Sequence, residues 1–195
     1  MKIIFDFGNV LVQWKPELVF LPYFGGDEAK YWYFWRHVCN QDFRNRIDAG
    51  EDSRIVISEQ QSRYPDFAEP LEMYMSRWDE ALPAEMPGMY QLLQELKSNP
   101  ENHLFGLTNW SMETFPQARQ KFRTLQLIDD YVVSGAVGTV KPNPVIFNTL
   151  LNRFNLKAEE CIFIDDNPAN VEAANQLGFH AIIFQGADLL RKSLL

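Results

Sequence analysis

FIDDNPANVEAA, residues 163–174, runs from an apolar stretch through two adjacent aspartates into a segment that reads as a helix. The stretch leading in, Cys161 to Asp165, is short, continuous and rich in β-branched and aromatic side chains. That is the pattern of a strand covered on both faces. Pro168 then opens a helix over 168–177 and Gly178 stops it, in agreement with helix start and stop signals. Strand, acids and helix in that order describe one half of a βα unit with charge placed at its turn.

The same order recurs along the chain. Lys2 to Phe7, Leu104 to Thr108, Tyr131 to Ser134 and Ala181 to Phe184 have the composition of buried parallel strands. Between them, 88–98 (GMYQLLQELKS) is amphipathic. Residues 111–123 begin with Ser111 as a plausible N-cap, with Glu113 and Thr114 in the first turn. Residues 143–154 place Pro144 after an Asn cap. Alternating strands and helices predict a doubly wound, parallel α/β sheet.

One region interrupts the alternation. Residues 15–87 contain no convincing strand and hold helix-like stretches at 16–23, 27–38, 41–49 and 53–63, with a fifth near 70–80. Breaks are expected at Gly25-Gly26, Gly50, Pro65 and Pro70. The sequence therefore divides into a Rossmann-like core, 1–14 and 88–195, and a helical insertion over 15–87. The insertion is aromatic, with YWYFW at 31–35 followed by Tyr74 and Trp78. Most of these rings are expected to fill its core and some to line a cleft at the module boundary.

Composition narrows the function. The chain has 195 residues, is 46% hydrophobic and 23% charged, and carries a net charge of −8. It has no basic run, which argues against nucleic acid as a partner. An anionic substrate would need local positive charge from a lysine, a helix N-terminus or a metal ion. Two distant cysteines, Cys39 and Cys161, form neither a disulfide framework nor a zinc pattern. Asp6 interrupts what would be a signal peptide's apolar region, and no stretch is long and apolar enough to span a membrane. A soluble, cytoplasmic protein is expected, as a monomer or small homo-oligomer.

In open α/β sheets ligands bind at the carboxyl ends of the strands. Asp6 follows the first strand, Thr108-Asn109 the second, Lys141-Pro142 the third after a short loop, and Asp165-Asp166 the fourth. A single strand-end aspartate is often only a helix cap, and a lysine before proline is usually a solvated charge. Two adjacent acids repel each other unless a cation sits there or one is protonated. Together these positions gather three carboxylates, a lysine and a hydroxyl at one edge.

These segments resemble the haloacid dehalogenase-like superfamily of phosphotransferases and hydrolases. FDFGNVL (5–11) is similar to its first motif, LTN (107–109) to its second, the lysine of VKPNP (140–144) to its third, and FIDDNPANVEAA to its fourth. The resemblance covers essentially the whole chain and implies a helical cap over the active site. The GNV form of the first motif, with LTNWS and KPNP, most resembles sugar-phosphate phosphatases, including glucose-1-phosphate phosphatases. The roles it implies are concrete. Asp6 attacks phosphorus and forms an aspartyl-phosphate. Mg2+ is held by Asp6, the backbone carbonyl of Gly8 and Asp166, with Asp165 either a ligand or a partner through water. Lys141, the Thr108 hydroxyl, the Asn109 backbone N–H and Asn9 bind the phosphoryl group of a small phosphorylated substrate.

The first motif departs from the family pattern at Gly8. Many family phosphatases carry there a second aspartate that protonates the leaving group and later activates water. Three outcomes follow. In the first, the one expected, the substrate needs little protonation, as an aldose 1-phosphate does. In the second, the cap supplies a substitute, with Glu17 and His37 as candidates and Trp14 near the entrance. In the third, the protein is a slow or silent binder of phosphorylated ligands. A 2-haloacid dehalogenase would use the same nucleophile, but the Asp165-Asp166 pair argues against it.

Overall fold

The computed structural model describes residues 1–195. Strands β1 (Lys2–Phe5), β2 (His103–Thr108), β3 (Asp130–Val133), β4 (Cys161–Asp165) and β5 (His180–Ile183) form one parallel sheet in the order β3-β2-β1-β4-β5. The chain moves outward from β1 through β2 to β3, then crosses to β4 on the other side. The β1/β4 junction is therefore the topological switch point, where open α/β sheets bind ligands. Register sets the strand ends level: Phe5 pairs with Gly106 on one side and Ile164 on the other.

Helices α6 (Met89–Lys97), α7 (Phe115–Lys121), α8 (Arg123–Gln126), α9 (Ser134–Val137), α10 (Pro144–Arg153), α11 (Pro168–Gln176) and α12 (Ala187–Leu194) cover the sheet. Ile3 and Phe5 share one apolar cluster with Leu92, Leu96, Phe115 and Leu190. Ile4 joins the opposite cluster with Phe105, Ile146, Phe147 and Phe163. Period-two alternation between two apolar faces is why the strand sequences read as unbroken apolar runs. Gly106 is needed for this packing, because a Cβ there would meet Phe7 Cζ at 2.3 Å.

A second set of helices lies between β1 and α6. It comprises α1 (Glu17–Tyr23), α2 (Glu28–Tyr33, continuing as a π-helical turn over Phe34–Val38), α3 (Gln41–Asp48), α4 (Ser53–Arg63) and α5 (Ala68–Ser76), then a 3₁₀ turn over Trp78–Ala81. The Asp27, Asn40 and Asp52 side chains cap α2, α3 and α4. These helices bury their own cluster, including Phe20, Phe34, Phe43, Ile47, Val56 and Leu71. The chain enters and leaves this segment along a short ribbon. Gln13 N donates to Ala84 O at 2.9 Å, Lys15 N to Ala81 O at 2.8 Å, and Met86 N to Leu11 O at 2.9 Å.

Some details differ from the sequence reading. The helix expected over 111–123 starts at Phe115, because Ser111 closes a turn by accepting the Glu113 N–H and Pro116 fixes the helical first turn. Pro70 lies in the first turn of α5 instead of marking a break, since its missing N–H costs nothing there. Helix α12 has no counterpart among the expected elements, although Ala187, Leu190 and Leu194 recur at helical spacing and are buried. No helix is long and apolar enough to cross a membrane.

Candidate active site

Asp6 follows β1 immediately, and its N–H donates to Ile164 O at 2.8 Å, which ties the turn to β4. The loop then tightens. Asn9 takes a left-handed φ of 56°, and its Oδ1 accepts the Trp14 N–H at 3.0 Å. Asparagine tolerates this conformation better than most residues. Nothing lies within 4 Å of where a Gly8 Cβ would stand, so packing does not exclude a side chain there.

Lys141 is the centre of the charge network. Its Nζ donates to Asp6 Oδ1 at 2.8 Å, Asp165 Oδ2 at 2.7 Å and Leu107 O at 2.8 Å. Three donors meet three acceptors, and the ammonium is fixed at 3% residue exposure. Asn109 sets the lysine's position through its side chain: Oδ1 accepts Lys141 N–H at 2.7 Å and Nδ2 donates to Lys141 O at 3.0 Å. The Asn109 backbone N–H has no intramolecular acceptor.

The two adjacent acids differ sharply. Asp165 is fully enclosed, and its oxygens also accept from Asn167 N at 2.8 Å and Asn170 Nδ2 at 3.0 Å. Asp166 is half-buried and faces the cavity. Carboxylate oxygens of Asp6, Asp165 and Asp166 all lie within 4.8 Å of one another. Burial, then the charges of Asp165 and Asp166, push the Asp6 carboxyl up to about 7 against the pull of Lys141. Burial and Asp165 also raise Asp166, opposed by the Asn9 side chain and Lys141. Burial alone would lower Lys141, but Asp165 and Asp6 reverse that and hold it above the ordinary lysine value.

Above this edge is a cavity of about 500 Å³, walled on one side by strand-end loops and on the other by the helical segment. Asp6, Gly8, Asn9, Trp14, Glu17, Asn109, Lys141 and Asp166 line it, as do Tyr31, Trp32, Trp35, Tyr74, Trp78 and Trp110. Phe34, between these rings in sequence, is instead core. Thr108 is buried at the end of β2 and Asp165 is enclosed behind Lys141, so neither belongs to the wall. His37, considered as a substitute acid, is exposed beside Tyr33, ring centroids 5.1 Å apart, and does not line the cavity. Of the two candidates, Glu17 alone reaches it.

Among the polar lining residues that the sequence reading missed are Arg44, Asp48, Ser111 and Asn170. Asp48 ends α3, and the Ser111 backbone N–H from the loop after β2 lies near its carboxylate. Burial pushes this carboxyl up to about 7 despite Arg44 and Ser111. Asn170 Oδ1 is buried without a hydrogen-bond partner.

The family profile described as haloacid dehalogenase-like hydrolase matches residues 3–184. The chain belongs to the haloacid dehalogenase-like hydrolase family. Among its curated relatives are a drimenol cyclase from Aspergillus calidoustus, 33% identical over 52% of this chain and 20% of that protein, and a flavin mononucleotide hydrolase from Arabidopsis thaliana, 31% identical over 56% of this chain and 44% of that protein. The chain thus spans less than half the length of these relatives. Two solved family members share the fold. One is a HAD-like family hydrolase from Porphyromonas gingivalis, with TM-score 0.72, 20% identity and coverage of 100% of this chain and 98% of that one. The other is a HAD family enzyme from Bacteroides thetaiotaomicron in complex with magnesium and inorganic phosphate, with TM-score 0.67, 16% identity and coverage of 95% and 94%.

Proposed function

We propose that the protein is a magnesium-dependent phosphatase acting on a small phosphorylated metabolite, such as an aldose 1-phosphate, through an aspartyl-phosphate on Asp6. One observation carries the reading: a buried lysine, fixed between two aspartates, beneath a cavity faced by a third. Such an arrangement serves an anionic substrate and a carboxylate nucleophile at once. Lys141 supplies positive charge that needs no reorganisation during reaction. The unpaired Asn109 N–H is available to a phosphoryl oxygen.

The donor set suits Mg2+. Asp6, Asp166 and the Gly8 carbonyl offer hard oxygens, and three carboxylates held this close call for a cation. The orphaned Asn170 Oδ1 beside Asp165 supports the same fit, because it can accept from a water on the ion. The enclosed Asp165 would then orient Lys141 from behind the ligands. When bound, the ion neutralises repulsion between the carboxylate and the phosphate.

In the first step an Asp6 oxygen attacks phosphorus, and Lys141 stabilises charge on the equatorial oxygens. Water then hydrolyses the acyl phosphate. The aromatic wall supports a second reading of the substrate, a phosphate ester with a flat or apolar body. The name of the flavin mononucleotide hydrolase relative points the same way.

The test is a screen with Mg2+ of sugar 1-phosphates, sugar 6-phosphates, flavin mononucleotide and prenyl phosphates. Turnover should be lost on chelation, and Asp6→Asn should reduce it by about 10⁴-fold or more. Undiminished turnover in Asp6→Asn would sink the nucleophile assignment. Metal-independent release of halide from a 2-haloacid would establish dehalogenation in its place. Ligand binding without turnover would make the protein a phospho-ligand binder.

A further inference from the structure

Gly8 lacks the family's acid, yet the cavity holds another carboxyl that no strand-end motif provides. Four acids line the wall: Asp6, Glu17, Asp48 and Asp166. Asp6 and Asp166 belong to the charge network, and Glu17 is exposed at the start of α1. Only Asp48 stands outside that network in a sheltered position. We infer that Asp48, delivered from the helical segment, is the general acid and base that replaces the missing carboxylate at Gly8; this rests on the phosphatase reading above.

Two contacts hold Asp48 against the core. Its backbone carbonyl accepts the Ser134 hydroxyl from α9, and the Ser111 N–H lies near its carboxylate. Close by, a Cβ on Gly50 would meet Gly135 O at 2.4 Å, so the two backbones touch at a point only glycine permits. The groups facing Asp48 are Arg44 on its own helix, Cys39 ahead of that helix, Tyr74 from α5 and the Ser111 N–H from the core. One cation against burial lets both protonation states exist near neutrality, as a group that gives and regains a proton requires. Closure of the helical segment and delivery of the proton are thus one event.

The step balances. An Asp6 oxygen bonds to phosphorus as the bond from phosphorus to the leaving oxygen breaks. That oxygen keeps the bonding pair and takes the proton of the Asp48 carboxyl. Next, a water oxygen bonds to phosphorus, the phosphorus–Asp6 bond breaks, and the water proton returns to Asp48.

Rapid-mixing kinetics with p-nitrophenyl, phenyl and benzyl phosphates, in order of increasingly basic leaving oxygens, test this. Asp48→Asn should slow first-turnover release of benzyl alcohol by about 10²–10⁴-fold and the p-nitrophenol burst by no more than about threefold. Phosphate should then accumulate on Asp6, because water has lost its base. Equal slowing across the series, or a raised KM at unchanged kcat, would overturn the assignment. Gly8→Asp in the otherwise native chain gives an answer that does not depend on Asp48→Asn folding. With Asp48 already acting, it should accelerate benzyl phosphate by less than about threefold; a gain of 10²-fold or more would show that the site had no acid. Absence of any burst from the native protein would refute the phosphatase reading itself.

Discussion

The cavity has two unlike walls. On the sheet side the charge network is satisfied within one module: Lys141 by Asp6, Asp165 and Leu107, and Asp165 again by Asn167 and Asn170. On the helical side, Asp48 and Ser53 hydrogen-bond across the gap: Asp48 O accepts the Ser134 hydroxyl, and Ser53 donates to Glu113. The difference separates two tasks. If Asp6 is the nucleophile, as proposed, the wall that holds it is the internally braced one. A wall that must admit substrate and release product is held by contacts that can part.

Lys141→Ala strikes the braced wall and should have the largest effect on stability. It leaves Asp6 and Asp165 buried without their cation, a loss of about 3–5 kcal/mol. For a chain of this size that is a fall of roughly 6–20 °C in Tm by calorimetry. A loss under about 1 kcal/mol would mean that the network is not the brace described.

Gly50→Ala attacks the contact between walls. The added methyl collides with Gly135 O, and the residue's φ of 91° suits only glycine. A destabilisation of about 1–3 kcal/mol is expected, together with a rise in KM. A sheet and helical segment that stay closed and unaffected in hydrogen exchange would break the distinction between the walls.

Asp48→Asn sharpens it through pH. A carboxyl held near 7 in the native state and near its ordinary value when unfolded binds its proton more tightly in the native state. It therefore contributes stability at low pH that is lost as pH rises from about 4 to about 7. The variant should gain on the native protein by on the order of 1–2 kcal/mol between pH 5 and pH 8, measured by urea unfolding. A difference that is flat with pH would remove Asp48 from its sheltered site. The smallest effect is expected from Ser53→Ala. It deletes the 2.7 Å hydrogen bond to Glu113 and should cost about 0.5–1.5 kcal/mol, appearing as faster exchange in α4 with the strands unchanged.

The braced wall was largely legible in the sequence and the other was not, for a physical reason. Asp6, Lys141, Asp165 and Asp166 follow strands whose parallel register brings their ends level, so position in the chain determines position in space. What the strand pattern could not decide was which of two adjacent acids turns inward. That depends on Asn170, one helical turn later, and on Lys141 arriving from another loop. Asn109 was expected to work through its backbone, while its side chain also clamps Lys141. Asp48 carries no local mark at all. In RNRIDAG it reads as an ordinary helix-surface acid, and only the fold brings it to the cavity wall, partly buried beside the close approach of Gly50 to Gly135. His37 was considered because histidine has suitable proton chemistry, but the π-helical turn leaves it beside Tyr33, outside the cavity.

The ribbon at Gln13–Ala84 and Lys15–Ala81 has a further consequence for how this architecture can change. Both ends of the helical segment leave the sheet side by side, already hydrogen-bonded to each other. A chain closing between Lys15 and Ala81 would leave every strand pairing of the sheet in place. Mutation can therefore lengthen, shorten or replace the substrate-facing wall with no compensating change in strand register. The Asp6–Lys141 network goes with the sheet, whereas Asp48 goes with the insertion.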